Sequence, residues 1–192
     1  NGPKEALGAA LVLEPIYDAS GEWAKLVSVL EVQVRAAEDP YQRVDLLHRV
    51  ARLYEEMLGD HANAFETYAR AVACDSSNED SLGSLERLAM VLGRWADVAK
   101  LYDLELEKLG ENPQGFVELG LRLAQIFETQ LEDVDSAIAR YRRVLAIDAE
   151  NQSAVRALDR LFTMTERWPD LGQILAREAE IAQAPDEQLE FK

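Results

Sequence analysis

The sequence predicts an all-α protein, an α-solenoid of about five antiparallel helical hairpins. Three observations lead there. Ala, Leu, Glu and Arg dominate a chain of 192 residues with only 7% aromatics, the composition of a helix former. Apolar residues recur at three- and four-residue spacing, with no convincing alternating β pattern. The chain also repeats itself: Trp23, Trp95 and Trp168 recur at nearly equal intervals, each behind a charged residue.

The repetition extends beyond the tryptophans. One constant shift of the chain along itself lays Pro40 on Pro113, Leu46 on Leu119, Arg49 on Arg122 and Ala51 on Ala124. The same shift lays Asp60 on Asp133, Ala64 on Ala137, Tyr68 on Tyr141, Arg70 on Arg143, Asp75 on Asp148 and Asn78 on Asn151. Leu85, Arg87 and Leu88 then fall on Leu158, Arg160 and Leu161. Chance likeness of two helical stretches supplies Ala and Leu matches, not aligned tryptophans, prolines and asparagines. Each long unit divides again into two hairpins, whose common offset separates Gly59 from Gly93, Ala62 from Ala96 and Tyr68 from Tyr102.

The elements follow in order from punctuation and periodicity. Helices are expected at about 4–18 and 22–37, the second opened by Trp23 with Leu26 and Leu30 behind it. Asp39-Pro40 places a capping side chain before a proline at the first helical position, and Val44, Leu47, Ala51, Tyr54 and Leu58 stripe 41–58. Gly59 supplies a left-handed C-terminal turn and Asp60 caps 61–74, which carries Ala64, Phe65, Tyr68, Ala71 and Val72 on one face. The cluster Asp75-Ser76-Ser77-Asn78 breaks that helix and leads into 79–91 and 94–109. Asn112-Pro113 opens the copy, with helices at 113–130, 133–147, 152–164 and 167–183. The expected hairpins are thus 4–37, 41–74, 79–109, 113–147 and 152–183. Ala184-Pro185-Asp186-Glu187 repeats the proline opening, so 185–192 is expected to begin a further repeat and the chain to be a piece of a longer array.

Hairpins of this length, with small and aromatic residues at fixed offsets, resemble the tetratricopeptide repeat. Ala51, Tyr54, Gly59, Ala64, Tyr68 and Ala71 match in one hairpin; Ala124, Phe127, Ala137, Tyr141 and the turn Asp148–Asn151 match in its copy. The family's proline near the end of the second helix is replaced by Ser76 and Ala149, and Leu85 and Leu158 stand near a usual small-residue position. The resemblance implies a right-handed superhelix whose first helices line a concave groove that holds a partner peptide or helix. Family members that grip a terminal carboxylate do so with Lys, Asn and Arg residues, a set not visible here.

Charge and chemistry narrow the function. Acids outnumber bases 36 to 20, for a net charge of −16, which disfavours nucleic acid and favours a basic or amphipathic protein partner. No apolar run approaches the roughly 20 residues that span a bilayer. His48 and His61, the only histidines, lie on different helices without metal-ligand spacing; Cys74 aligns with Ile147 and reads as apolar packing. With one cysteine and no disulfide framework, a reducing, cytoplasmic setting is expected. Carboxylates are spread evenly, and neither a glycine-rich phosphate loop nor a nucleophile elbow occurs. No enzyme activity, cofactor or metal is expected. The predicted function is an interaction scaffold, monomeric or weakly self-associating; the alternatives are a structural spacer or self-assembling element and, behind these, a regulatory segment of an enzyme.

Position within the hairpins selects the groove residues. The second and third hairpins offer Asp45, His48, Arg52 and Glu55, then Glu79, Leu82 and Glu86. The fourth and fifth offer Glu118, Leu121, Gln125 and Glu128, then Gln152, Val155 and Asp159. The three tryptophans, with apolar residues three and seven positions on, are expected as wedges between hairpins rather than binding anchors.

Overall fold

The computed structural model describes residues 2–109 and 113–176. Among these residues every regular element is helical. In chain order they are α1 (Pro3–Ser20), α2 (Trp23–Ala36), α3 (Pro40–Arg52) running into a π turn (Leu53–Met57), α4 (His61–Cys74) and α5 (Glu79–Leu92). Then follow α6 (Trp95–Leu109), α7 (Pro113–Thr129), α8 (Val134–Ile147) and α9 (Gln152–Met164), and α10 over 168–176. The continuation of α10 to 183, the cap at Asn112 and the repeat expected at 185–192 fall outside the described residues.

The capping side chains act as their positions predict. Asp39 accepts from the amides of Tyr41 and Gln42 at the start of α3. Asp60 accepts from Asn63 N–H at 3.0 Å, and its copy Asp133 from Ser136 N–H at 3.0 Å. Asn78 and Asn151 do the same for Ser81 and Ala154, at 2.9 and 3.0 Å. Each satisfies at least one of the amides a helix start leaves without an intrahelical partner.

The helix ends carry the duplication further. Gly59 and Gly93 take left-handed backbone angles, φ 64° and 67°. The only non-glycine residues among those described with positive φ are Glu132 and Glu166, at 53° and 56°. In the self-alignment these two fall on Gly59 and Gly93. The hydrogen bonds coincide as well. Arg94 N–H donates to Ala89 O and Arg167 N–H to Phe162 O, both at 2.9 Å, the six-to-one bond of a Schellman turn. Asp60 N–H donates to Tyr54 O at 2.7 Å and Asp133 N–H to Phe127 O at 2.8 Å. The copies keep the turn without the residue that adopts it most easily.

The chain forms two compact units, residues 1–101 and 102–192, with the boundary inside α6. In the first, α1 packs on α2, α2 on α3, α3 on α4 and α4 on α5. Its core joins Leu26, Leu30, Val34, Leu47, Val50 and Ala71, with Trp23, Tyr54 and Cys74 partly buried against it. In the second, α7 packs on α8 and α8 on α9, around Ala124, Ile138, Tyr141, Leu145, Leu158 and Phe162. Trp95 is partly buried, but Trp168 is 59% exposed, so the expectation of a third indole wedge is corrected: that ring has water on most of its surface.

Candidate interaction faces

The candidate residues lie on the first helices α3 and α5 in the first unit, which also holds the first helix α1, and α7 and α9 in the second. On α3, Asp45 and Arg52 are exposed and His48 is half-buried. His48 Nε2 lies 2.7 Å from Ser81 Oγ on α5, which in turn donates to Asn78 Oδ1 at 2.9 Å. The imidazole also meets the Tyr68 ring edge-on, with centroids 5.6 Å apart. Burial holds the His48 pKa below its ordinary value, and the nearby Arg52 charge adds to this. In the copy the same positions are Leu121, packed against the second core, and Ala154, so a polar bridge in one unit is an apolar contact in the other.

Glu55 and Glu128, again copies of one another, are not bare charges. Arg87 donates to both carboxylate oxygens of Glu55, at 2.6 and 2.7 Å, a forked pairing suited to the planar guanidinium. Arg160 donates to Glu128 at 2.5 Å, and Tyr141 Oη donates to its other oxygen at 3.0 Å. The Arg87 bond holds the Glu55 carboxyl below the usual range. Burial pushes the Tyr141 phenol up, and the Glu128 charge adds to the rise. One hairpin earlier, Arg49 on α3 donates to Glu14 on α1 at 2.5 Å. These arginines were absent from the predicted groove set, although Arg49, Arg87 and Arg160 all stand in the self-alignment. What periodicity along one helix does not reveal is a partner on the neighbouring first helix, a full hairpin away for Arg87 and Arg160.

The other candidates divide by burial. Glu79, Glu118, Gln125 and Gln152 are exposed, and Glu86 and Asp159 half-buried. Glu118 accepts from Gln114 Nε2 at 3.1 Å. Leu82 and Val155 are corrected: each is 2% exposed, and neither presents a surface to a partner. Stepping by three and four from Glu79 crosses into the apolar face of α5, where Ser81, Leu82, Leu85, Leu88 and Ala89 are all buried. Val155 holds the same register on α9 and belongs to the second core.

His61 is exposed at the start of α4 and Cys74 packs against the first core; among the described residues no three His, Cys, Asp or Glu side chains are grouped to hold a metal ion. Nor, among them, is any helix long and apolar enough to cross a membrane.

Comparison with known proteins bears on the architecture. No protein-family model and no curated protein sequence matches the chain. Among solved structures it is similar to MamA, at a TM-score of 0.50 and 12% identity over 98% of both chains. It is similar also to BtubC (BKLC) from P. vanneervenii, at 0.50 and 20% identity over 94% of this chain and 82% of that one. The nearly identical TPR-like repeats of a candidate kinesin light chain from Podosopora anserina align at 0.48 and 18% identity, over 96% of this chain and 98% of that one. The fold is a tetratricopeptide-like helical repeat. At these identities the likeness is one of fold.

Proposed function

We propose that this chain is a non-enzymatic protein-interaction scaffold that holds a basic or amphipathic peptide or helix of a partner on its first-helix faces. Tetratricopeptide-like neighbours are typically scaffolds without enzyme activity. The observation that carries the reading is the recurrence of one surface in both units. Asp45, Arg52 and the Glu55–Arg87 pair in the first answer to Glu118, Gln125 and the Glu128–Arg160 pair in the second. A surface maintained in two copies, on helices whose opposite faces are fully buried, is preorganised for binding. The charge balance of −16 sets the partner's sign, since complementary fields speed encounter and reject like-charged competitors.

A peptide panel differing only in net charge tests this. Basic and amphipathic members should bind, with affinity falling as salt rises and falling further in Asp45→Lys and Glu118→Lys variants. Preferential capture of acidic peptides would sink the charge argument. A second reading, a spacer or self-assembling element, draws on Leu11, Val12 and Ile16 of α1, which are 55%, 66% and 53% exposed. Light scattering across concentration separates the two, because assembly on that face predicts growth in mass.

A further inference from the structure

The start of α7 and the end of α8 border an open cleft of about 310 Å³ lined by Pro113, Gln114, Val117, Glu118, Ile147 and Asp148. Its apolar side is Val117, which packs on the second core, and Ile147, a large aliphatic side chain left 47% exposed. Its polar side is two carboxylates, and among the described residues no Lys or Arg lines it. Among the described residues Glu118 is met only by the neutral Gln114 amide. Asp148 accepts from Asn151 Nδ2 at 2.9 Å and Glu150 N–H at 3.3 Å, also neutral donors. The carbonyl end of α8 favours a cation here and the amide end of α7 opposes one. The helix ends therefore offset, and the carboxylates decide the sign.

The first unit repeats the arrangement of residue types. Pro40, Tyr41, Val44, Asp45, Cys74 and Asp75 stand at the corresponding positions. There the apolar residue beside each acid is taken up by the core, Val44 being 3% exposed and Cys74 packed against the first core, so only the acid of each pair faces outward. Asp45 forms no ion pair among the described residues, and Tyr41 is 75% exposed, an aromatic face open to a cation.

We propose that the α7–α8 cleft clasps a lysine or arginine side chain of a bound partner peptide. Such side chains lay an apolar stem along apolar surface and keep a charged head in water; Val117 and Ile147 take the stem, and Glu118 and Asp148 the head. The proposal rests on the scaffold reading and names the anchor chemistry that reading leaves open.

Methyl-resolved NMR titration of the intact chain with N-acetyl-lysine N-methylamide tests it, with the norleucine analogue as the uncharged control. Saturable shifts should centre on the Val117 and Ile147 methyls, with a dissociation constant on the order of millimolar for a ligand of this size. Norleucine, and lysine on Glu118→Gln, should bind about three- to fivefold more weakly, the range of a solvent-exposed ion pair. Glu118 is exposed and caps nothing, so its variant folds; Asp148 is left intact because it holds the start of α9. Absence of saturable shifts at these methyls, or equal affinity for norleucine, overturns the proposal. The two readings fail separately: partner peptides still captured by a chain whose cleft ignores lysine would remove only the clasp. Lysine bound in the cleft with no peptide captured anywhere would remove only the scaffold.

Discussion

Replacing Glu132 and Glu166 with glycine should stabilise the protein, although both changes delete a side chain. The two residues hold φ near 53° and 56°, where a Cβ costs roughly 1–2 kcal/mol. Glycine relieves that strain but brings a more flexible unfolded chain, which offsets about 0.5–1 kcal/mol of the gain. The net expectation is a gain of about 0.5–1 kcal/mol per site. Both glutamates are exposed and neither side chain has a partner among the described residues, so the substitution removes no contact. The reverse change is equally clean. A Cβ added at Gly59 or Gly93 meets nothing within 4 Å, so Gly59→Ala and Gly93→Ala should each cost a similar amount through backbone conformation alone. Urea denaturation followed by circular dichroism reads both directions, with Glu132→Gln and Glu166→Gln separating the backbone effect from the lost charge. Loss of stability in Glu132→Gly or Glu166→Gly, or equal gains in the glutamine variants, would refute the left-handed assignment of these turns.

Other consequences are as direct. Double-mutant cycles on Glu55–Arg87 and Glu128–Arg160 should each return no more than about 1 kcal/mol, falling with salt, because the arginine side chains are 50% and 58% exposed. His48 is held below its ordinary pKa of 6.5, so the unfolded chain binds a proton that the folded chain resists. Stability should therefore fall as pH drops below about 6.5. His48→Leu combined with Ser81→Ala, which reproduces the copy, should remove that component of the pH dependence in a urea series. Glu55 and Asp133, held below the ordinary carboxylate range, add stability above their unfolded pKa values that is lost as pH falls through the lower folded ones. Trp95→Ala should cost about 1–3 kcal/mol, less than the roughly 3–5 kcal/mol of a fully buried aromatic, because the ring is only partly buried. Trp168→Ala should cost under about 1 kcal/mol, and thermal melts of the two variants check the order.

Helix boundaries were legible where the sequence writes a cap: Asp39 and Asp60 act as read, and Asn78, Asp133 and Asn151, read only as breaker or copy positions, also stand where a helix begins. The π turn at Leu53–Met57 was not. The apolar spacing of 41–58 runs through it unbroken, and the copy, with the same left-handed turn at Glu132, stays α-helical to Thr129. The exposed face of the first helices was legible only in part. Asp45, Glu118 and Gln125 are exposed as their spacing predicts. Leu82 and Val155 fell into the core because a one-residue error in helical phase, about 100° of rotation, carries a residue from rim to interior. Arg87 and Arg160 were overlooked because their role is set by the next hairpin. Trp168 shares its sequence context with Trp23, yet a shared context does not determine how much of a ring is covered.

The central claim is that the first-helix faces of both units are the surface this protein presents to a partner. Hydrogen–deuterium exchange of the intact chain, with and without a basic amphipathic peptide selected from the panel, measures it most directly. Protection should concentrate on α3 and α5 in the first unit and α7 and α9 in the second, and weaken at high salt. Protection confined to α2, α4 and α8, with the first helices unchanged, would contradict it.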